Sequence, residues 1–390
     1  MRILKWLAGI VLIAVILGVI GFFGFAPRIA EKGMNAVKDH DPYPVSAEAQ
    51  NLHDSLLIGD WHVDTLLWNR DLLDRGSYGQ VDIPRLQEGN VALQMFTSVT
   101  KTPAGQNYEE NTAEARDNVT LLAIGQLWPI RTWFSLTERA LYHAERLHRA
   151  ADRSDGTFRV LTSEADLDTF LADRETNPNL VGGFLGMEGG HALEGDIAAL
   201  DILYAAGHRL MGLQHFFDNE LGGSLHGVAG AGLTDFGREV VTKLETDGWI
   251  IDLAHSSQQT ARDVLAMTDV PLIVSHTGVH SHCETVRNYP DDLMRDIAAT
   301  GGVVGIGYWA DVTCDDSPKG IAAAVAAAIA AVGEDHVSLG SDFDGAIEAA
   351  LDTSELAAIT QAMLDAGLSE TQIRKVAGEN MIRVLRARLD

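Results

Sequence analysis

At 390 residues, 46% hydrophobic and 22% charged, the chain can bury the core of one α/β barrel, a fold that needs roughly 250 residues or more. Its 29 basic residues against 55 acidic ones give a formal charge of −26, which excludes nucleic acid as a partner because phosphates need a basic face. Two cysteines, Cys283 and Cys314, are too few for a disulfide framework, and neither their pairing nor the redox compartment follows from sequence.

From Trp6 to Ala26 the chain is almost purely apolar, with Arg2 and Lys5 before it and Arg28 and Lys32 after it. About 20 such residues span a bilayer. A cleaved signal has a shorter apolar core, roughly 7–15 residues, followed by small residues, whereas here Pro27 follows Ala26 directly. Residues 1–32 therefore read as an anchor rather than a removed signal segment. The flanking charges balance, so the positive-inside rule says little. A lone amino-terminal anchor nevertheless points to export, with the catalytic domain periplasmic or otherwise extracytoplasmic. Residues 33–51, with Pro42 and Pro44 in DPYPVS, read as a linker, and the domain runs from 52 to 390.

Eight short apolar runs then alternate with helical patterns. SLLIGDWHVD is the first strand and VALQMFTSV (91–99) the second. Residues 112–150 carry Ala, Leu, Glu and Arg at helical spacing and read as one long helical region. LVGGFLGME is the third strand, followed by a helix near 195–206, then RLMGLQH and a Gly-rich loop, NELGGSLHGVAGAG. Thr234 caps a helix through Glu245, WIIDLAH is the fifth strand, and Ser257 opens the next helix. PLIVSH, a helix at 291–300, GGVVGIGYW, an Ala-rich helix at 320–332 and VSLGSDFD complete the series. Ser369 and Gln372 form a capping box for the last helix. Eight strands alternating with helices predict a parallel (β/α)8 barrel of the TIM type behind a transmembrane helix.

Several of these strands run into a His, Asp or Glu. His62 and Asp64 lie two apart in an extended segment and so share a face. Glu188 follows an apolar strand and precedes two glycines, and His255 and His276 close the fifth and sixth strands. Each residue alone is as readily a hydrogen-bonded core or rim group as a ligand. Five at one end of one barrel suit a divalent metal, and imidazole with carboxylate suits zinc. Two ions bridged by a carboxylate would lower the pKa of a bridging water and polarise a carbonyl. His215 at the end of RLMGLQH could stabilise developing negative charge. Arg287 could clamp a carboxylate, and Asp342 could act as a general acid or base, with Asp344 the second choice. Asp218 and Asn219 read as turn formers, and His191, His226, His280 and His282 as structural groups or partners to ligands.

The motifs HVDTLLW, VDIPRLQEGNV, GMEGGHAL, LQHFFDNELGG, IDLAHSS, IVSHTG, VRNYPDD, LGSDFDG and GENMIRVLR occur in order between about Ser55 and Arg386. In these the chain resembles the membrane dipeptidase (renal dipeptidase) family, peptidase family M19, of the amidohydrolase superfamily. The resemblance implies two Zn2+ ions: His62 and Asp64 on one, His255 and His276 on the other, Glu188 bridging. It further implies that His215 contacts the substrate carbonyl, Arg287 binds the terminal carboxylate, and Asp342 carries the proton from water to the leaving amine. A metal-bridging hydroxide would attack the peptide bond of a small dipeptide, and a homodimer is allowed. The chain departs from the family pattern at Thr277-Gly278 and in HFFDNELGGSLHG, where loops set substrate choice. Deacylation of N-acyl amino acids or lactam opening would use the same metals without needing Arg287. A non-catalytic tethered binding protein should have lost ligands, and all five are present.

Overall fold

The computed structural model describes residues 2–389. Nine parallel strands form one sheet: β1 Ile58–Val63, β2 Val91–Val99, β3 Phe158–Val160, β4 Val181–Glu188, β5 His208–Gly212, β6 Ile250–Asp252, β7 Leu272–Thr277, β8 Val303–Ile306 and β9 Val337–Leu339. Their order is β2-β1-β9-β8-β7-β6-β5-β4-β3, with β2 also paired to β4 from Leu93↔Gly182 to Val99↔Glu188. That extra ladder closes eight of the strands into a barrel, as the alternation predicted. The strand not foreseen, β3, pairs with residues 181–183 of β4, on the edge that β5 takes at 185–187. Three residues are too short for a period-2 signal to register. Gly183 of β4 admits this neighbour closely: a Cβ there would come within 2.6 Å of the Phe158 ring.

Helix ends follow the cap residues. The side chains of Thr234, Ser257, Ser317 and Ser369 each accept from the backbone amide three residues on, satisfying one of the unpaired donors of a first turn. The capping box at Ser369–Gln372 is formed. The C-terminal helix Asn380–Arg388 places Met381, Val384 and Leu385 in one apolar cluster with Trp61, Leu210, Ile250, Ile273 and Val303. The strands are thereby backed from their N-terminal side, leaving the C-terminal ends open.

Two expectations need correction. Residues 112–150 are not one helix but Asn118–Gly125, a 3₁₀ turn Ile130–Trp133 and Leu136–Arg153. Leu127 takes a left-handed φ of 57° and Pro129 has no N–H to continue the ladder. The stretch read as anchor end and linker is folded onto the barrel. Helix Ala26–Met34 follows the apolar helix Arg2–Gly24, and Ala47–Asp54 is a further helix capped by Ser46. Between them, Lys38 N donates to Ala349 O at 2.9 Å and Ala349 N to Ala36 O at 3.0 Å. The apolar helix is long enough to cross a membrane over Ile3–Gly24, and none of it is buried.

Candidate active site

The five candidate ligands, with His215 and Asp342, each sit at, or within three residues of, the C-terminal end of a strand, and Arg287 lies in the loop that follows β7. His62 is in β1 and Asp64 just beyond it, where the backbone has turned to φ −104° and ψ 22°. Glu188 ends β4 and His276 is the next-to-last residue of β7. His215, His255 and Asp342 follow β5, β6 and β9. A parallel barrel collects these ends on one face, so residues more than 250 apart in sequence become neighbours. His255 and Asp342 hold left-handed φ values of 62° and 60°, followed by Asp344 at 61° and Ala346 at 63°. Such conformations cost about 1–3 kcal/mol each and persist where surrounding contacts impose them.

The donor atoms converge. His255 Nε2 lies 3.0 Å from His276 Nε2, and Glu188 Oε1 lies 3.2 Å from the first and 3.5 Å from the second. Two ligands bound at zinc distances to one tetrahedral ion sit about 3.3 Å apart, so this trio has the edges of a coordination polyhedron. A second set comprises His62, Asp64 and Glu188, with His62 Nε2 at 3.5 Å from Asp64 Oδ1 and 3.4 Å from Glu188 Oε1. Glu188 belongs to both. Its Oε2, 3.3 Å from His215 Nε2, is buried without a hydrogen bond among the described residues. A buried carboxylate oxygen left bare is costly unless a cation satisfies it. The residues present fit two ions sharing one carboxylate.

Electrostatics points the same way. Burial, then the Arg287 charge, hold the His255 imidazole well below its ordinary range, and burial with His62 and Arg287 does so for His276. Both shifts favour the neutral ring, the form that offers a lone pair. Burial opposes the charge on Glu188, but His215 and His62 outweigh it and keep the carboxylate ionised. At His62 burial is likewise outweighed, here by Asp64 and Glu188, so its pKa is raised. Burial, reinforced by Asp64 and Glu188 against His62 and Arg287, lifts Asp342 well above the usual carboxylate range.

Arg287 is 2% exposed; its Nη2 donates to His276 O at 2.9 Å, while its Nε has no partner among the described residues. Asp342 Oδ1 lies 3.9 Å from His62 Nε2. Asp344, two residues on, is engaged elsewhere: it pairs with Arg70 and accepts from Gln80 N at 2.8 Å. Asp218 and Asn219 are turn formers as expected, Asp218 accepting from Ser224, Val228 and Ala229 amides. His226 stacks on Phe216 and bonds Tyr108 O, His191 packs on Phe217, and His280 bonds Thr285 O. His282 lies exposed at the rim.

Several supporting residues were not singled out from sequence. Ser275 Oγ lies 2.8 Å from His276 Nδ1 and 3.3 Å from His62 Nδ1, and donates to Asp252 Oδ2 at 2.6 Å. Thr97 Oγ1 donates to Asp64 Oδ1 at 2.5 Å. Such partners orient ligands. Asp252 carried a signal, a carboxylate inside the apolar run WIIDLAH, since a charge buried in a strand needs partners. Thr97 and Ser275 carried none.

Fold and site together define a metal-dependent hydrolase built on a parallel barrel. Residues 46–389 match the model of the membrane dipeptidases, peptidase family M19, and the chain belongs to that family. Dipeptidase aclJ of Aspergillus oryzae is 28% identical over 353 residues, covering 84% of this chain and 77% of that protein. Dipeptidase tcpJ of Claviceps purpurea is 28% identical over 318 residues, 79% of this chain and 69% of that one. The solved dipeptidase AC of family M19 superposes with a TM-score of 0.69 at 26% identity, covering 86% of this chain and 99% of its own. A metallopeptidase of Rhodobacter sphaeroides, solved with a phosphinate mimic of the dipeptide L-Ala-D-Ala, gives 0.67 at 25% identity, with 85% and 99% covered. The enzyme is a metallo-dipeptidase by class.

Proposed function

We propose that this protein hydrolyses dipeptides with two zinc ions held by His62, Asp64, His255 and His276 and bridged by Glu188. The observation that carries the reading is the convergence of these five donors beside a buried arginine and a carboxyl group of raised pKa. Bound there, the ions supply a nucleophile from water near neutral pH and polarise the scissile carbonyl. The chain's own groups do the rest. Arg287, with a guanidinium N–H unspent, takes the substrate's terminal carboxylate. His215 donates to the carbonyl oxygen as negative charge builds on it. Asp342 accepts the proton from the attacking water and returns it to the leaving amine, a task its raised pKa suits. The small dipeptide is further supported by the phosphinate dipeptide mimic in the Rhodobacter sphaeroides relative.

We read Ile3–Gly24 as a retained anchor: 22 helical residues extend about 33 Å, against about 30 Å of bilayer core. Cys283 and Cys314 are joined in a disulfide, which supports an oxidising compartment and hence a periplasmic or other extracytoplasmic domain.

The test uses the full chain in detergent, zinc-loaded, with L,L- and L,D-dipeptides beside N-acetyl amino acids, with and without chelator. Chelator-sensitive cleavage of dipeptides alone is expected, falling by about a thousandfold or more in Glu188→Ala together with its bound metal. Turnover of only the acylated compounds would make the enzyme a deacylase. Silence with two metals bound would favour a binding protein.

A further inference from the structure

The cleft above the metal ligands is about 480 Å³ and has two chemically different ends. Its floor is polar, formed by Asp64, Glu188, His215, His255, Arg287 and Asp342. Its outer part is lined by Phe22, Pro27, Met34, Leu67, Leu121 and Ile347. Three of these six come from the segment expected to be anchor end and linker. In helix Ala26–Met34, the residues Ala26, Ala30 and Met34 recur at four-residue spacing and so form one stripe, the stripe that faces the cleft.

This helix is fastened, not draped. Glu31 is 4% exposed and pairs with Arg70, which in turn pairs with Asp344 and donates to Val81 O at 2.8 Å. Asn35 Oδ1 accepts from Ala346 N at 2.8 Å, and Lys38 Nζ reaches Asp316 at 2.7 Å. Two of these ties end on the turn 342–346 that carries Asp342. On the other side, Gly125 lies so close that a Cβ there would sit 3.1 Å from Pro27 Cγ and 3.6 Å from the Phe22 ring. A hinged tether has no use for a buried ion pair and a close helix contact. The family model matches from residue 46 onward, so this wall lies before the matched span.

We infer that helix Ala26–Met34 is a specificity-determining wall of the substrate cleft, closing an apolar subsite that takes a large aliphatic or aromatic side chain of the dipeptide. The inference rests on the dipeptidase reading above. Continuity decides the occupant: the subsite opens directly onto the floor holding Arg287 and His215, so a substrate clamped there by its carboxylate projects a side chain into it. The apolar area that a Leu or Phe side chain buries corresponds to about ten- to a hundredfold in kcat/KM over alanine.

The test is made on the full chain in lipid nanodiscs, zinc-loaded, with Ala-Ala, Leu-Ala, Ala-Leu, Phe-Ala and Ala-Phe, in the wild type, Ala30→Trp and Ala30→Leu. Metal content and melting temperature show that each variant is folded. The quantity read is the ratio of kcat/KM for the best apolar dipeptide to that for Ala-Ala. It should be about tenfold or more in the wild type, fall at least about tenfold in Ala30→Trp, and be intermediate in Ala30→Leu, which intrudes less. A ratio within twofold of the wild type in both folded variants would overturn the wall while leaving dipeptide hydrolysis standing. If no dipeptide is cleaved, the functional reading falls and the subsite with it.

Discussion

The disulfide gives the most quantitative prediction. Cys283–Cys314 closes a loop with a sequence separation of 31 residues, and that loop carries Arg287. Asn288 Nδ2 donates to Cys283 O and Val312 O, each at 2.9 Å, while Asn288 Oδ1 accepts from Gly278 N at 2.7 Å. Cross-linking a loop of this size removes about 12 cal/mol/K of unfolded-state entropy, about 3–4 kcal/mol at 25 °C. The Cys283→Ser/Cys314→Ser double variant, or the reduced wild type, should lose that amount, measured by urea unfolding at matched slope in the same detergent. Because the loop seats Arg287, KM for dipeptides should rise more than kcat falls. Coincident urea midpoints for oxidised and reduced protein would refute the reasoning, and would mean that burial of Cys283, 1% exposed, and the Asn288 bonds hold the loop unaided.

Two further outcomes concern stability. Burial depresses His208 to about 4 from 6.5, so below pH 6.5 the unfolded chain takes a proton that the folded one refuses. Stability should therefore fall as pH drops from 6.5 towards 4, by about 3 kcal/mol in all from this residue. His208→Asn should flatten the fall in unfolding free energy over that range, and equal slopes would count against it. Arg70→Met would leave Glu31 and Asp344 buried without their shared cation. A loss of about 3–5 kcal/mol is expected, with faster proteolysis before residue 35; wild-type protection there would refute the role given to the pair.

The eight barrel strands and the last capping box were legible because their signals are local: apolar runs bounded by turn residues, and a hydroxyl three residues before a glutamine. Helix 112–150 was misjudged because composition is helical throughout, while the break depends on Leu127 and Pro129. The clustering of the candidate ligands was legible for a related reason. Once the strands of a parallel barrel are placed, residues at their C-terminal ends are gathered on one face, so His62, Asp64, Glu188, His255 and His276 could be grouped without coordinates.

The sequence ranked Asp342 above Asp344 but could not show what packs against either. Asp342 and Asp344 are two residues apart and chemically identical; only the fold gives one to the metal-ligand cluster and the other to Arg70. Ser275 and Asp252 meet across neighbouring strands, and Cys283 meets Cys314 because separate loops approach on one face. Helix Ala26–Met34 has a polar composition fit for a linker, and its docking depends on a buried pair with a partner 39 residues away. Chain order thus determined the barrel, its rim and the class of chemistry, since periodicity and strand-end position are properties of neighbours in sequence. Tertiary structure alone decided which of the two aspartates joins the buried His and Glu cluster, which serine and threonine bond its members, and that helix Ala26–Met34 docks back on the barrel, because burial and pairing are properties of neighbours in space.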